Sequence, residues 1–112
     1  MTLGDGQTGS SNVEVEACRE VVVPNEQGLH ARPVMAFVDR ASQSRSRVTV
    51  TNITRKGETV DGKSAMQMMI LEATQGCVLR IGAKGVDARE TVDALAALVE
   101  AGFKTDSPQP SD

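Results

Sequence analysis

The stretch that most constrains the fold is an alternation near the C-terminal end: Cys77, Leu79, Ile81 and Ala83 interleave with Val78, Arg80 and Gly82. A period of two sends the two sets to opposite faces of a strand. Arg47-Val48-Thr49-Val50-Thr51 alternates in the same way. Strands of this kind need a sheet with one apolar face, and that face needs a cover.

The rest of the chain supplies strands and covers. The β-branched run within Arg19-Glu20-Val21-Val22-Val23 predicts a strand arising from Val13 onward. Pro24-Asn25-Glu26-Gln27-Gly28 has turn chemistry. Ala31, Val34, Met35, Val38 and Ala41 share helical spacing, which predicts a helix over Ala31 to Ser42 with Asp39 and Arg40 outward. A polar run from Ser42 to Ser46 ends it. After the Arg47–Thr51 strand, Arg55-Lys56-Gly57 turns the chain into a short third strand, Glu58 to Asp61, which Gly62 breaks. A short helix starts at Ser64, where Ser64 and Gln67 fit a capping box. Glu72 to Gly76 and Lys84-Gly85-Val86 are turns on either side of the Cys77–Ala83 strand. Asp87 and Glu90 fit a second capping box, and Ala88, Val92, Leu95, Ala96 and Val99 line the buried face of a last helix that Gly102 ends.

Helices gathered on one face of a mainly antiparallel sheet are the natural α+β solution. One domain is expected at this length of 112 residues, spanning 13–103, with disordered polar tails at 1–12 and 104–112. Aromatic residues are 2% of the chain and the formal net charge is −3, so there is neither a basic stripe nor a row of rings for nucleic acid. No apolar run approaches a membrane span and no signal peptide opens the chain, so the expected compartment is the cytoplasm. Cys18 and Cys77 are then expected as reduced thiols packed as small apolar groups.

The chemistry is concentrated in Gly28-Leu29-His30-Ala31-Arg32-Pro33, which holds the only histidine. Glycine permits a sharp entry into the helix, and proline is tolerated in a first turn. His30 therefore falls at a helix N-terminus or one residue outside it. First-turn N–H groups have no intrahelical partner, and with the helix dipole they favour an anion. The backbone of Ala31 and Arg32 can supply such donors, and the Arg32 guanidinium matches phosphate oxygens in bidentate fashion. A largely neutral imidazole keeps a nucleophilic nitrogen. This is the equipment of a transiently phosphorylated histidine, although a histidine at a helix start also occurs as a plain surface residue. No metal site is expected, because there is no second histidine and the cysteines are widely separated.

The hexapeptide resembles the active-site signature of the HPr family, the histidine-containing phosphocarriers of the bacterial sugar phosphotransferase system. Gly62-Lys63-Ser64-Ala65-Met66-Gln67-Met68-Met69 is similar to the family's regulatory-serine segment, and Gln75-Gly76 leading into the last strand is a third match. The resemblance covers about Glu16 to Phe103. It implies an open-faced sandwich of four antiparallel strands under three helices, with the first and fourth strands adjacent. Cys18 and Cys77 would then lie well apart, without a disulfide.

The resemblance also implies a function. His30 would accept a phosphoryl group on Nδ1 from an enzyme I-like donor charged by phosphoenolpyruvate, with Arg32 and the first-turn N–H groups spreading the charge. The group would pass to sugar-specific or regulatory acceptor proteins. Such a chain is a carrier rather than an independent enzyme, works as a monomer and needs no cofactor. Ser64 would be a phosphorylation site for an HPr serine kinase/phosphorylase, beside its local role as a cap. Met66, Met68 and Met69 cannot all face the core, and Met66 and Met69 are assigned to partner docking. The chain departs from the family pattern at Asp39, where a basic residue is common, and at Ala65 and Gln67. A regulatory binding module acting through Ser64 and the methionines, and a nitrogen-type phosphorelay protein, remain the alternative readings.

Overall fold

The computed structural model describes residues 15–103; the tails expected at 1–12 and 104–112 lie outside the described residues. Each alternating run forms a strand. The elements are β1 (Val15–Val22), α1 (Ala31–Ser42), β2 (Arg47–Asn52), β3 (Thr59–Asp61), α2 (Ala65–Ile70), β4 (Val78–Gly85) and α3 (Ala88–Glu100). The four strands make one antiparallel sheet in the order β1-β4-β2-β3. This is the open-faced α+β architecture.

Register decides which side chains meet. Val21 pairs with Leu79, and Val50 with both Ile81 and Val60, so these apolar residues share one face. All five are buried. α3 lies over β1 and β4, α1 packs against α3 and α2, and α2 reaches β3. The opposite face carries Glu16, Cys18 and Glu20 of β1 against Lys84, Gly82 and Arg80 of β4. Arg80 and Glu20 pair at 3.0 Å and Lys84 and Glu16 at 3.6 Å, at half-exposed sites where such pairs stabilise little. Large apolar groups without water on one side, and charges in water on the other, explain why the helices gather on a single face.

Several expectations need correction. The buried stripe of α1 is Pro33, Val34, Phe37 and Ala41, whereas Met35 is 48% exposed. The helix is rotated so that the larger, stiffer Phe37 ring fills the core, and the flexible thioether of Met35 is left to solvent. Lys84 and Gly85 belong to β4 rather than to a turn, because β1 continues far enough to pair with them. Asp87 is the N-cap of α3 but makes no side-chain cap bond there. Its carboxylate instead accepts the Arg45 N–H at 2.9 Å and the Ser46 hydroxyl. Cys18 is exposed in β1 opposite Gly82, so only Cys77 is packed as a small apolar group. Cys77 adjoins Val78, which pairs with Val22, and both cysteines are free.

Candidate functional site

The loop between β1 and α1 is built to deliver His30. Its first half is tied to the segment before β4. Val23 donates to the Cys77 carbonyl at 2.9 Å, Gly76 to the Val23 carbonyl at 2.9 Å, and the Gln75 amide to the Pro24 carbonyl at 3.0 Å. Gly28 then takes φ +67°, a conformation open to glycine. A side chain there is also excluded by space, since a Cβ would lie 2.4 Å from the Ala73 carbonyl oxygen. Leu29 donates to that same carbonyl at 2.9 Å and packs against the core.

His30 is the N-cap of α1, with extended backbone at φ −122° and ψ −169°. Its carbonyl accepts the Val34 N–H at 2.9 Å, and its side chain makes no cap bond. The side chains of His30, Ala31 and Arg32 are exposed. Among the described residues the N–H groups of His30, Ala31 and Arg32 donate to nothing, and Pro33 has no N–H to give. The imidazole therefore stands in water at the positive end of a 12-residue helix, beside unpaired donors and a guanidinium without a carboxylate partner. No acidic residue occupies the first turn to compete for those donors. Such a site can hold a doubly charged oxyanion with little rearrangement.

Ser64 is the N-cap of α2. Its hydroxyl oxygen accepts the Gln67 N–H at 3.2 Å, which is one half of the predicted capping box. The other half is absent: the Gln67 side-chain oxygen accepts the Asp61 N–H at 2.9 Å, and the Ser64 N–H goes to the Asp61 carbonyl. The Gly62–Lys63 turn thus leaves Gln67 bonded both to its own cap and to the end of β3. Lys63 is anchored through its Nζ to the Ser44 carbonyl at 3.0 Å.

The methionines divide as their crowding in sequence requires. Met68 is fully buried, whereas Met66 is 80% and Met69 48% exposed. Ile70, which sequence reasoning passed over, adds a further exposed apolar side chain at 66%. Met69 and Ile70 follow Met66 at three and four positions, so the three share one face of α2. Met35 lies three positions after Arg32 on α1, so α1 extends apolar surface back towards the His30 end. Among the described residues no group of histidine, cysteine and carboxylate side chains is arranged to hold a metal ion. No helix there is long and apolar enough to cross a membrane.

Comparison with known proteins bears on this geometry. Residues 17–101 match the family described as the PTS HPr component phosphorylation site. The phosphocarrier protein NPr of Proteus mirabilis is 38% identical over 88 residues, covering 79% of this chain and 96% of that protein. A multiphosphoryl transfer protein of Haemophilus influenzae is 38% identical over 99 residues, 84% of this chain, but the match spans only 20% of that longer protein. Among solved structures, an HPr from Thermoanaerobacter tengcongensis superposes with a TM-score of 0.73 at 34% identity, over 81% of this chain and 99% of that one.

Proposed function

The chain belongs to the HPr family of phosphotransferase-system phosphocarriers, and on that premise we propose that His30 is the residue that carries the phosphoryl group. The donor is an enzyme I-like protein charged by phosphoenolpyruvate, and the recipients are sugar-specific or regulatory acceptor proteins in the cytoplasm. The observation that carries this reading is the solvent-exposed His30 at the N-cap of α1, beside the unpaired N–H groups of Ala31 and Arg32. Multiphosphoryl transfer proteins contain a segment like this chain within a much longer one, which supports a partner from the same transfer system.

The chemistry is a nucleophilic displacement at phosphorus. The Nδ1 lone pair of His30 attacks the phosphorus of the donor's phosphohistidine. A new P–N bond forms as the donor's P–N bond breaks, and that electron pair returns to the donor imidazole. The Arg32 guanidinium and the Ala31 and Arg32 N–H groups stabilise charge on the equatorial oxygens. The second transfer runs the same steps towards the acceptor. Nothing in the exchange requires a group that the carrier lacks, so a small rigid presenter suffices.

Partners dock on the exposed face of α2, through Met66 and Met69, together with Met35 of α1. Pliable thioethers suit a surface that must fit both donor and acceptor. Ser64, at the head of α2, is the point at which an HPr serine kinase/phosphorylase would add a second phosphate. That charge would enter beside the docking face and repel acidic partners.

The test is phosphorylation with phosphoenolpyruvate and a purified enzyme I, followed by phosphorus NMR. One acid-labile phosphoramidate signal is expected, and it should vanish in His30→Ala. Uptake of the same label by His30→Ala would overturn the assignment.

A further inference from the structure

We propose that Asn25 is a positioning residue for His30, acting through the Gly28–Leu29 peptide that presents the imidazole. This inference rests on the carrier role of His30. Asn25 lies five positions earlier in the loop, and its carboxamide is folded inward. Its Nδ2 donates to the Gly28 carbonyl at 2.6 Å, and the backbone carbonyl of Asn25 accepts the Gly28 N–H at 3.0 Å. On the other side of that peptide, the Leu29 N–H goes to the Ala73 carbonyl at 2.9 Å. A peptide unit is planar, so holding its oxygen at one side and its N–H at the other sets the orientation of the whole plane. His30 is the next residue, and its own carbonyl is held by Val34. The backbone is thus clamped before and after a side chain that is itself in water. Fixing the frame in this way steadies the backbone from which both the ring and the unpaired N–H groups of Ala31 and Arg32 project.

A second feature separates this role from plain stabilisation. The Asn25 Oδ1 is buried and has no hydrogen-bond partner among the described residues. A buried carbonyl oxygen without a donor is costly, and such a group calls for an explanation. The carboxamide gains one bond through Nδ2 and forfeits the hydration of Oδ1, so its net contribution to stability is small. Its effect on the Gly28 carbonyl is not small, because no other described donor reaches that oxygen. Replacing Asn25 by alanine removes the stranded oxygen and the clamp together. Stability and transfer should therefore respond differently.

The test uses potassium phosphoramidate as phosphoryl donor, which needs no partner protein. In that reaction the donor's P–N bond breaks, ammonia leaves, and a P–N bond forms at His30. Asn25→Ala and Asn25→Asp should both phosphorylate at least about tenfold more slowly than the parent chain. Their melting temperatures should stay within about 3 °C of it. The Leu29 amide should exchange with solvent at least about tenfold faster, while amides in α3 are unaffected. Asn25→Gln, which keeps an amide donor on a longer arm, should recover part of the rate. Phosphorylation of Asn25→Ala at the parent rate overturns the proposal, and so does a loss that merely tracks global unfolding. A parent chain that takes no phosphate on His30 overturns the carrier reading and this inference with it; a labelled parent with an unaffected variant overturns this inference alone.

Discussion

The carbonyl oxygen of Ala73 occupies the space that a side chain on Gly28 would need. A Cβ on Gly28 would lie 2.4 Å from that oxygen and 2.8 Å from the Cα of Thr74. The same carbonyl accepts the Leu29 N–H at 2.9 Å. Backbone meets backbone here, so neither side can yield by a rotamer change. Gly28→Ala should therefore destabilise the fold by roughly 2–4 kcal/mol, combining the φ +67° strain with the displaced contact. Urea denaturation will check this; a loss under about 1 kcal/mol would mean that the two segments separate freely.

Arg32 is exposed and has no carboxylate partner among the described residues, so its removal should leave the fold alone. Arg32→Ala should keep the parental melting temperature and slow phosphoryl transfer by on the order of 10–100-fold. Arg32→Lys should fall between, since it retains the charge and loses the planar fork. Stopped transfer measurements with and without the substitution decide it, and equal rates would remove Arg32 from the charge-stabilising role.

The cap seen at Ser64 and the regulatory role proposed for it can be separated. Ser64→Ala loses the bond from the Gln67 N–H and should cost about 1 kcal/mol of stability, read by thermal denaturation. Ser64→Asp retains a capping oxygen at a helix N-terminus and should be close to the parent in stability. Its transfer from enzyme I should nevertheless be slower, because an anion then sits beside the docking face. Parental transfer rates in Ser64→Asp would leave Ser64 as a cap and nothing more.

Met66 tests the proposed docking face without touching the chemistry. It is 80% exposed, so Met66→Asp should change stability by no more than about 0.5 kcal/mol. Binding to enzyme I should weaken by roughly tenfold, while direct phosphorylation of His30 by phosphoramidate is unaltered. A drop in both reactions would show that Met66 supports the His30 loop instead of the partner.

Asp87 should govern part of the acid sensitivity. The Arg45 N–H, followed by the Ser46 hydroxyl, holds its carboxyl below the ordinary value of 3.8. A carboxyl depressed in the folded state contributes stability that is present above its unfolded value and is lost as pH falls through its folded value. Asp87→Asn should thus be less stable than the parent near neutrality and show a flatter loss of stability below about pH 4. Denaturation midpoints collected from pH 3 to pH 7 give the comparison, and parallel curves would exclude Asp87 as a contributor.

What could be read from the chain alone was whatever depends on near neighbours. The period-two runs gave β2 and β4, and the apolar spacing of Ala88, Val92, Leu95, Ala96 and Val99 gave the buried face of α3. The bounds of α1 and the seat of His30 at its N-cap follow from Gly28, Pro33 and the helical spacing after Ala31, all within a few residues of one another. Local rules reach only that far. Which side of α1 turns inward depended on α3 and α2 packed against it, and there Phe37 displaced Met35. Asp87 looked like a cap for its own helix, but the fold brought Arg45 and Ser46 within its reach from 42 and 41 residues away. The Ala73 carbonyl against Gly28 is likewise a meeting of two loops distant in sequence. Hydrogen-bonding groups take the best partner the folded backbone offers, and only topology decides which distant partners come within 3 Å.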